Sequence, residues 1–162
     1  MSELSLQEKY APHSTCFGCG PSNTQGLKIR TMAKPDSGVT PFQAETFAEW
    51  MGSSHHEAFP GMLNGGIIGA LLDCHSNWTA AYQLMREKSE AHPPCTVTAD
   101  FHVKLMRPTP SQGPVSLEAR VVESDGVKVL VEASLSAGGK TCATCKGTFV
   151  AVKRGHPAYH RW

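Results

Sequence analysis

The sequence predicts an α+β domain in which a curled antiparallel β-sheet wraps around one long central helix. Two observations lead to this class. A stretch that begins at residue 65 repeats its apolar residues with the helical period, and segments on both sides of it alternate apolar and polar residues as half-buried strands do. The 162 residues suffice for one domain with a buried core. A sheet with one apolar face and open edges also needs cover, which favours a dimer.

The composition is typical of a globular protein without a strongly charged surface. The net charge is +1, and 18% of the residues are charged against 40% that are apolar. Because lysine and arginine are scattered rather than clustered, we expect no nucleic-acid partner and no membrane partner. The amino terminus shows no signal-peptide pattern, and no apolar stretch is long enough to span a bilayer. We therefore expect a cytoplasmic protein whose six cysteines are reduced.

The central helix is predicted to start at Gly65 and to run for about twenty residues, buried around much of its circumference. Two strands, residues 27–33 and 39–48, are predicted before it, followed by a loop over residues 49–63 that ends in a Pro-Gly turn. Four strands are predicted after it, and the last three are joined by turns at Ser-Asp-Gly and Ala-Gly-Gly.

The first strand after the helix alternates cleanly, so its two sets of side chains should point to opposite faces. The apolar set comprises Val97, Ala99, Phe101, Val103 and Leu105, and the polar set comprises Thr98, Asp100, His102 and Lys104.

The chain divides into three parts by pattern. Residues 1–26 form an amino-terminal segment with a Cys-x-x-Cys-Gly turn, residues 27–154 form the main domain, and residues 155–162 form a carboxy-terminal tail without a clear pattern.

Three motifs follow one another along the chain. A Cys-x-x-Cys-Gly turn leads into Asn-x-x-Gly-Leu at residues 16–27, a Pro-Gly turn precedes Asn-Gly-Gly and then Asp73, and Thr-Ala on the next strand precedes an Arg-Pro pair. In this order they resemble the hotdog-fold thioesterases of the phenylacetate-pathway type, over roughly residues 16–153. The resemblance implies a hotdog fold, hydrolysis of an acyl-CoA thioester without a cofactor, and a homodimer or dimer of dimers.

The resemblance also implies roles for particular residues. Gly65 gives its backbone N–H to the thioester carbonyl, Asp73 acts as base or nucleophile, and Thr98 holds that acid or its water. Two positions depart from the family pattern: Asn64 stands where relatives commonly have histidine, and Ala58 stands where some relatives have a polar amide. An asparagine amide still donates a hydrogen bond, but it neither titrates nor carries positive charge.

These residue types suit thioester chemistry. Hydrolysis passes through a tetrahedral oxyanion, so it needs donors aimed at that oxygen and a group that activates water. The first N–H groups of a helix lack internal partners and lie at the positive end of its dipole, and Gly65 and Gly66 let a substrate approach them closely. Burial raises the pKa of a helix carboxylate, which makes Asp73 a better base. Asn77, one turn further on, is a candidate beside Thr98 for holding the water.

The spacing of the two central residues predicts a shared site. Eight residues of helix separate Gly65 from Asp73 by about 12 Å along the axis, which is too far for both to reach one carbonyl. Two antiparallel helices that meet across a dimer would bring each helix start to the other's aspartate. We therefore predict that Gly65 of one subunit works with Asp73 and Thr98 of the other.

Each of these residues also has a purely structural interpretation. Asn64 is a good helix N-cap, which is compatible with substrate contact, and the glycines after it permit close packing. Asp73 fits a partly exposed helix acid, and Thr98 fits an ordinary β-branched strand residue. Basic residues at strand ends are commonly solvated, but they are also candidate contacts for the phosphates of CoA. These are Arg107, Lys104, Lys153 and Arg154.

The cysteines offer one possible metal site. Cys16 and Cys19 form a knuckle-like turn that suits zinc, with His13 as a third ligand. Cys142 and Cys145 do not complete the set, because residues three apart on a strand point to opposite faces. We therefore expect no bound metal and a turn with small buried thiols.

Two rival enzymatic interpretations fail on spacing. Cys74 and His75 are adjacent on the helix and point about 100° apart, so no Cys–His catalytic pair is expected. Hydratases of the same fold resemble one another in pairing their aspartate with a histidine five residues later. In this chain the residue five positions after Asp73 is Trp78, so a hydratase is not expected.

Two functions remain. A non-catalytic acyl-CoA-binding protein is favoured by Asn64 and Ala58, whereas Asp73 and Thr98 oppose it. The sequence therefore predicts an acyl-CoA thioesterase, with the binding protein as the alternative.

Overall fold

A helix of 23 residues forms the axis of the fold, and a six-stranded antiparallel sheet curls around it. The structure is a computed structural model, which describes residues 2–162. The helices are α1 (Leu6–Tyr10) and α2 (Gly65–Glu87), with a 3₁₀ turn at Ser54–His56. The strands are β1 (Met32–Ala33), β2 (Glu45–Met51), β3 (Glu57–Phe59), β4 (Met62–Leu63), β5 (Thr96–Leu105), β6 (Pro114–Ser124), β7 (Lys128–Ala137) and β8 (Lys140–Ala151). Within residues 2–162, no helix is both long and apolar enough to cross a membrane.

Helix α2 begins at the residue that the sequence predicts. Asn64 is its N-cap, because the side-chain Oδ1 accepts hydrogen bonds from the N–H groups of Gly66 at 2.7 Å and Ile67 at 3.4 Å. Large apolar side chains on several faces are buried, and each contributes about 1.5–3 kcal/mol to folding. They include Leu71, Leu72, Trp78 and Leu84. The predicted α+β class, with one central helix, is confirmed.

The main sheet has the strand order β1-β2-β6-β7-β8-β5, with every pair antiparallel. The predicted Ser-Asp-Gly and Ala-Gly-Gly turns join β6 to β7 and β7 to β8. Alternate residues of these strands are buried against α2, among them Leu117, Val131, Leu135 and Phe149. Strand β5 closes one end of the sheet, and its outer edge has no neighbouring strand in the described chain.

The predicted boundaries before the helix are wrong. Of residues 27–33 only Met32–Ala33 pairs as a strand, and the strand predicted at 39–48 is replaced by Glu45–Met51. Residues 49–63, predicted as a loop, contain the end of β2 and a short β3–β4 hairpin around the predicted Pro-Gly turn.

The late start of β2 has a physical cause in the side chain of Gln83. Its Oε1 accepts a hydrogen bond from the Ala44 N–H at 2.6 Å, and its Nε2 donates to the Phe42 carbonyl at 2.7 Å. The helix therefore satisfies backbone groups that would otherwise pair with a strand. Pro41 has no N–H to offer a neighbouring strand, which also delays pairing.

A β-bulge breaks the alternation predicted for β5. Thr98 pairs with Phe149, and Asp100 pairs with the residue just before Phe149, so Ala99 is an extra residue without a partner. One extra residue inverts the alternation, so Thr98 faces α2 rather than lying with the polar set. Ala99, predicted on the apolar face, is exposed. Beyond the bulge the prediction holds, since Val103 packs against the core.

The amino-terminal segment packs on the domain through a buried polar network. Gln7 Nε2 donates to Thr31 Oγ1 at 2.9 Å, and Gln7 Oε1 accepts from the Thr31 N–H at 2.8 Å. Thr31 Oγ1 lies 3.0 Å from His75 Nδ1, and Thr46 Oγ1 lies 3.2 Å from His75 Nε2. Burial lowers the pKa of His75 to about 3, so the ring is neutral. This network connects α1, β2 and α2.

Candidate active site

Asp73 lies near the middle of α2, half-buried, and a strand residue holds it. The Thr98 hydroxyl donates a hydrogen bond of 2.6 Å to Asp73 Oδ1. Burial raises the pKa of the Asp73 carboxyl, and this effect exceeds the lowering by the Thr98 hydrogen bond. The nearby Cys16 raises the pKa further, whereas the positive charge of Arg161 lowers it. Among residues 2–162, no donor reaches the second carboxylate oxygen. Asp73 therefore has one oxygen held in place and one available for chemistry.

Gly65 supplies the available backbone N–H at the start of α2. The N–H groups of Gly66 and Ile67 donate to the Asn64 side chain, and the N–H of Ile68 donates to the Asn64 carbonyl at 3.1 Å. The Gly65 N–H has no acceptor within the described residues. Asn64 is thus an N-cap, and Gly65 rather than Gly66 is left as the free donor.

A cavity of about 320 Å³ opens beside Gly65. Apolar side chains from the β3–β4 hairpin and the end of β5 form most of its wall, and Arg107 and Thr109 are among its polar members. The buried Thr109 hydroxyl has no hydrogen-bond partner in the described part of the chain. Thr109 was not predicted, and only its place in three dimensions identifies it. The size and lining suit a small-molecule site.

The hairpin that carries Ala58 is fastened beside the helix start. The Ser111 hydroxyl donates to Glu57 Oε1 at 2.5 Å, and the Asn64 N–H donates to the His56 carbonyl at 2.9 Å. These bonds fix the hairpin next to the cavity although Ala58 itself offers no polar side chain.

The cavity and the carboxylate lie at separate places on one chain. Asp73 is not among the residues that line the cavity, and it lies about 12 Å from Gly65 along the helix axis. The side of α2 that carries Gly69 and Asp73 is only partly covered, and a Cβ added at Gly69 would meet open space. Phe101 and Leu105, on the helix side of the edge strand, are 43% and 55% exposed.

Asn77 contacts the start of β5. Its Nδ2 donates to the Thr96 carbonyl at 3.4 Å, and its buried Oδ1 has no partner within residues 2–162. Arg161 of the carboxy-terminal tail donates to the same carbonyl at 2.7 Å. The tail therefore reaches the neighbourhood of Asp73, which the sequence pattern did not indicate.

A second depression, of about 490 Å³, lies on the sheet face opposite α2. Charged residues line much of it, including Lys104, Glu118, Arg120 and Glu132, but none of Gly65, Asp73 and Thr98 does. Of the four candidate phosphate contacts, only Arg107 lies at the Gly65 cavity, whereas Lys104 lines this second depression. Lys153 and Arg154 are exposed just after β8.

The surroundings of the Cys-x-x-Cys-Gly turn differ from those expected. Cys74 of α2, and not His13, joins Cys16 and Cys19, with the three sulfurs within 4.8 Å of one another. His75 is engaged in its own buried network with threonines, so no Cys–His catalytic pair forms, as predicted.

Comparison with solved structures identifies the family to which this chain belongs. A thioesterase superfamily protein from Shewanella loihica PV-4 is 32% identical, with 67% of this chain and 84% of that chain covered and a TM-score of 0.57. A second thioesterase superfamily protein is 20% identical, with 93% of this chain and 70% of that chain covered and a TM-score of 0.66. A phenylacetic acid degradation-related protein from Ralstonia eutropha JMP134 is 22% identical, with 67% of this chain and 76% of that chain covered and a TM-score of 0.56. No family model and no curated protein matches the chain.

The chain belongs to the hotdog-fold thioesterase superfamily. The 32% identity over most of the Shewanella protein establishes the superfamily, and the two more distant structures show the shared fold. The predicted hotdog fold and the predicted family are therefore confirmed.

Proposed function

We propose that the protein is an acyl-CoA thioesterase, which hydrolyses a thioester to a carboxylic acid and CoA. The observation that carries the proposal is the hydrogen bond from Thr98 to Asp73, because it holds a half-buried carboxylate on an open side of the central helix. Membership of the thioesterase superfamily supports the same reaction class.

The reaction uses Asp73 as a base. Asp73 takes a proton from water while the water oxygen attacks the thioester carbonyl carbon. The oxyanion that forms accepts a hydrogen bond from the Gly65 N–H at the start of a helix. When the carbonyl re-forms, the carbon–sulfur bond breaks and the proton on Asp73 passes to the CoA sulfur. Direct attack by Asp73 is the other route, and a single turnover in isotopically labelled water separates the two, because only direct attack can place label in its carboxyl group.

Two copies of the chain form each site. Gly65 and Asp73 of one chain lie about 12 Å apart, whereas reacting groups must come within about 3.5 Å. The free edge of β5 and the exposed Phe101 and Leu105 beside it give a partner copy an apolar surface on which to pack. An antiparallel arrangement of two α2 helices supplies each Asp73 with the other copy's Gly65. Homodimers and dimers of dimers both satisfy this requirement.

The cavity at Gly65 accounts for binding of the substrate. Its apolar wall accepts the acyl chain or the pantetheine arm, and Arg107 offers a guanidinium to a phosphate of CoA.

Release of free thiol from short, aromatic and long acyl-CoAs tests the proposal. Wild type should hydrolyse at least one member, and Asp73→Asn should lose about 10²–10⁴-fold in kcat, because the amide cannot accept the proton. Asp100→Asn is the matched control, since it makes the same change at an exposed position of β5, and it should keep wild-type activity.

The opposite result identifies the alternative. If wild type releases no thiol from any acyl-CoA while one of them raises its melting temperature, the protein is a non-catalytic acyl-CoA-binding protein. Equal activity in wild type and Asp73→Asn would remove Asp73 from the mechanism.

A further inference from the structure

Three cysteines converge where the amino-terminal segment meets α2. The sulfurs of Cys16, Cys19 and Cys74 all lie within 4.8 Å of one another, and those of Cys16 and Cys74 are 3.8 Å apart. Two sulfurs bonded to one tetrahedral zinc ion at about 2.3 Å lie about 3.8 Å from each other. A disulfide would instead require about 2.05 Å. The cluster has the dimensions of ligands around a single ion.

The turn is shaped so that the sulfurs can meet. A Cβ at Gly18 would come within 2.3 Å of Cys74 Sγ, so a larger residue there would push the helix cysteine away. A Cβ at Gly20 would come within 2.4 Å of the Cys16 nitrogen, and the Gly20 N–H closes the turn on the Cys16 carbonyl at 2.8 Å. Glycine at both positions is therefore a requirement of the cluster.

A buried side chain donates a hydrogen bond to one sulfur of the cluster. The indole N–H of the buried Trp78 donates to Cys19 Sγ at 3.3 Å. The thiolate is the form in which cysteine binds a metal, and hydrogen-bond donors to the ligating atoms are usual around bound metals.

We infer that Cys16, Cys19 and Cys74 bind a zinc ion, with the fourth tetrahedral position occupied by water or an external ligand. Thiolate ligands select zinc over harder cations such as magnesium and calcium. In the described chain no fourth cysteine, histidine or carboxylate joins the three sulfurs. Cys16 is only partly buried, which gives the ion access from solvent.

The ion ties the amino-terminal segment to α2 at the residue that follows Asp73. The metal is thereby a positioning element for that turn of the helix, while Asp73 remains the group that meets the substrate. This positioning role rests on the proposed function, whereas the metal site itself does not.

Zinc content of the full chain, purified without chelators from zinc-supplemented medium, tests the site by elemental mass spectrometry. Wild type should hold about one zinc ion per chain. Cys16→Ser and Cys74→Ser should each keep less than about a tenth of that content, because each removes a thiolate ligand. Cys95→Ser is the matched control, since it changes a half-buried thiol outside the cluster, and it should keep the wild-type content.

Cobalt provides a second test that does not depend on how the variants fold. Co²⁺ added without oxygen to reduced, metal-free wild type should produce thiolate-to-cobalt charge-transfer bands, and zinc should abolish them. Wild type with neither zinc nor these bands overturns the inference. An intact mass lower by two hydrogens, which shows a disulfide, also overturns it, as does loss of zinc in Cys95→Ser. Neither measurement involves thioester hydrolysis, so failure of the metal site and failure of the proposed function are distinguishable.

Discussion

The Thr98 hydroxyl donates a 2.6 Å hydrogen bond to Asp73 Oδ1, and a β-bulge in the strand brings the two residues together. Without the extra residue Ala99, the alternation of β5 would turn Thr98 to the face of the sheet away from α2. With it, Thr98 and Val103 both face the helix, although they are an odd number of residues apart and a regular strand would point them to opposite faces. The bulge is therefore part of the candidate site as well as of the fold.

Replacing Thr98 by valine should reduce kcat/KM by about 10–100-fold, because a hydrogen bond to a charged group contributes about 1.5–3 kcal/mol. Valine keeps the shape and strand preference of threonine, so the melting temperature should stay close to that of wild type. Thr98→Ser, which retains the hydroxyl, is the control and should restore most of the activity. A fully active Thr98→Val would show that the bond is only structural.

Replacing Gly65 by proline should remove the oxyanion donor without disrupting the helix. Gly65 is the first residue of α2, where proline is well tolerated, and Asn64 before it has the extended conformation that proline requires (φ −65°, ψ 136°). Loss of the donor should lower kcat by about 10²–10³-fold.

The control for this change is Gly65→Ala. Both side chains meet Leu105 Cδ1, since a Cβ at Gly65 lies 3.1 Å from that atom, but alanine keeps the N–H. Comparable losses in the two variants would assign the effect to crowding rather than to the missing donor.

Replacing Arg107 by glutamine should raise KM for an acyl-CoA about ten-fold while kcat changes little, because the lost contact is to a phosphate that does not react. The same variant should bind the acyl-pantetheine analogue, which lacks the nucleotide phosphates, as wild type does. Lys104→Gln is the matched control, since Lys104 lines the depression on the other sheet face. An equal effect on both substrates would contradict phosphate recognition by Arg107.

Replacing Thr46 by valine should destabilise the fold by about 1–3 kcal/mol, because a buried polar group loses its partner. Thr46 Oγ1 lies 3.2 Å from His75 Nε2 and 2.7 Å from Thr79 Oγ1, all of them buried. Urea denaturation measures the change in the free energy of unfolding. Thr144→Val, on the opposite sheet face, is the control. If both variants change the free energy of unfolding by an equally small amount, the network does not contribute to stability.

The sequence was most informative where one local signal decides the structure. Asn64 before a run with helical period predicted both the start of α2 and its cap, since capping depends on neighbouring residues alone. The position of Asp73 on that helix followed from the same pattern. The family resemblance predicts the pairing of Asp73 with Thr98, and the structure shows the hydrogen bond.

Features that depend on distant residues were not predictable from pattern. The bulge at Ala99 leaves the sequence alternation intact, so the pattern alone places Thr98 on the polar face. The start of β2 depends on Gln83, which is about forty residues further along the chain. Cys74 reaches Cys16 only because the amino-terminal segment packs against α2, and no spacing rule connects the two.

Subunit complementation between Asp73→Asn and Gly65→Pro tests the central claim, which is that two copies of the chain form each site. The two inactive variants, carrying different affinity tags, are mixed, allowed to exchange subunits, and assayed for thiol release. A mixed dimer contains one site with both an intact Gly65 and an intact Asp73. Random exchange makes half of the dimers mixed, with one of two sites competent, so activity should return to about a quarter of the wild-type value. If affinity capture shows that mixed dimers have formed and the mixture stays as inactive as its parents, the site does not combine these residues across two chains.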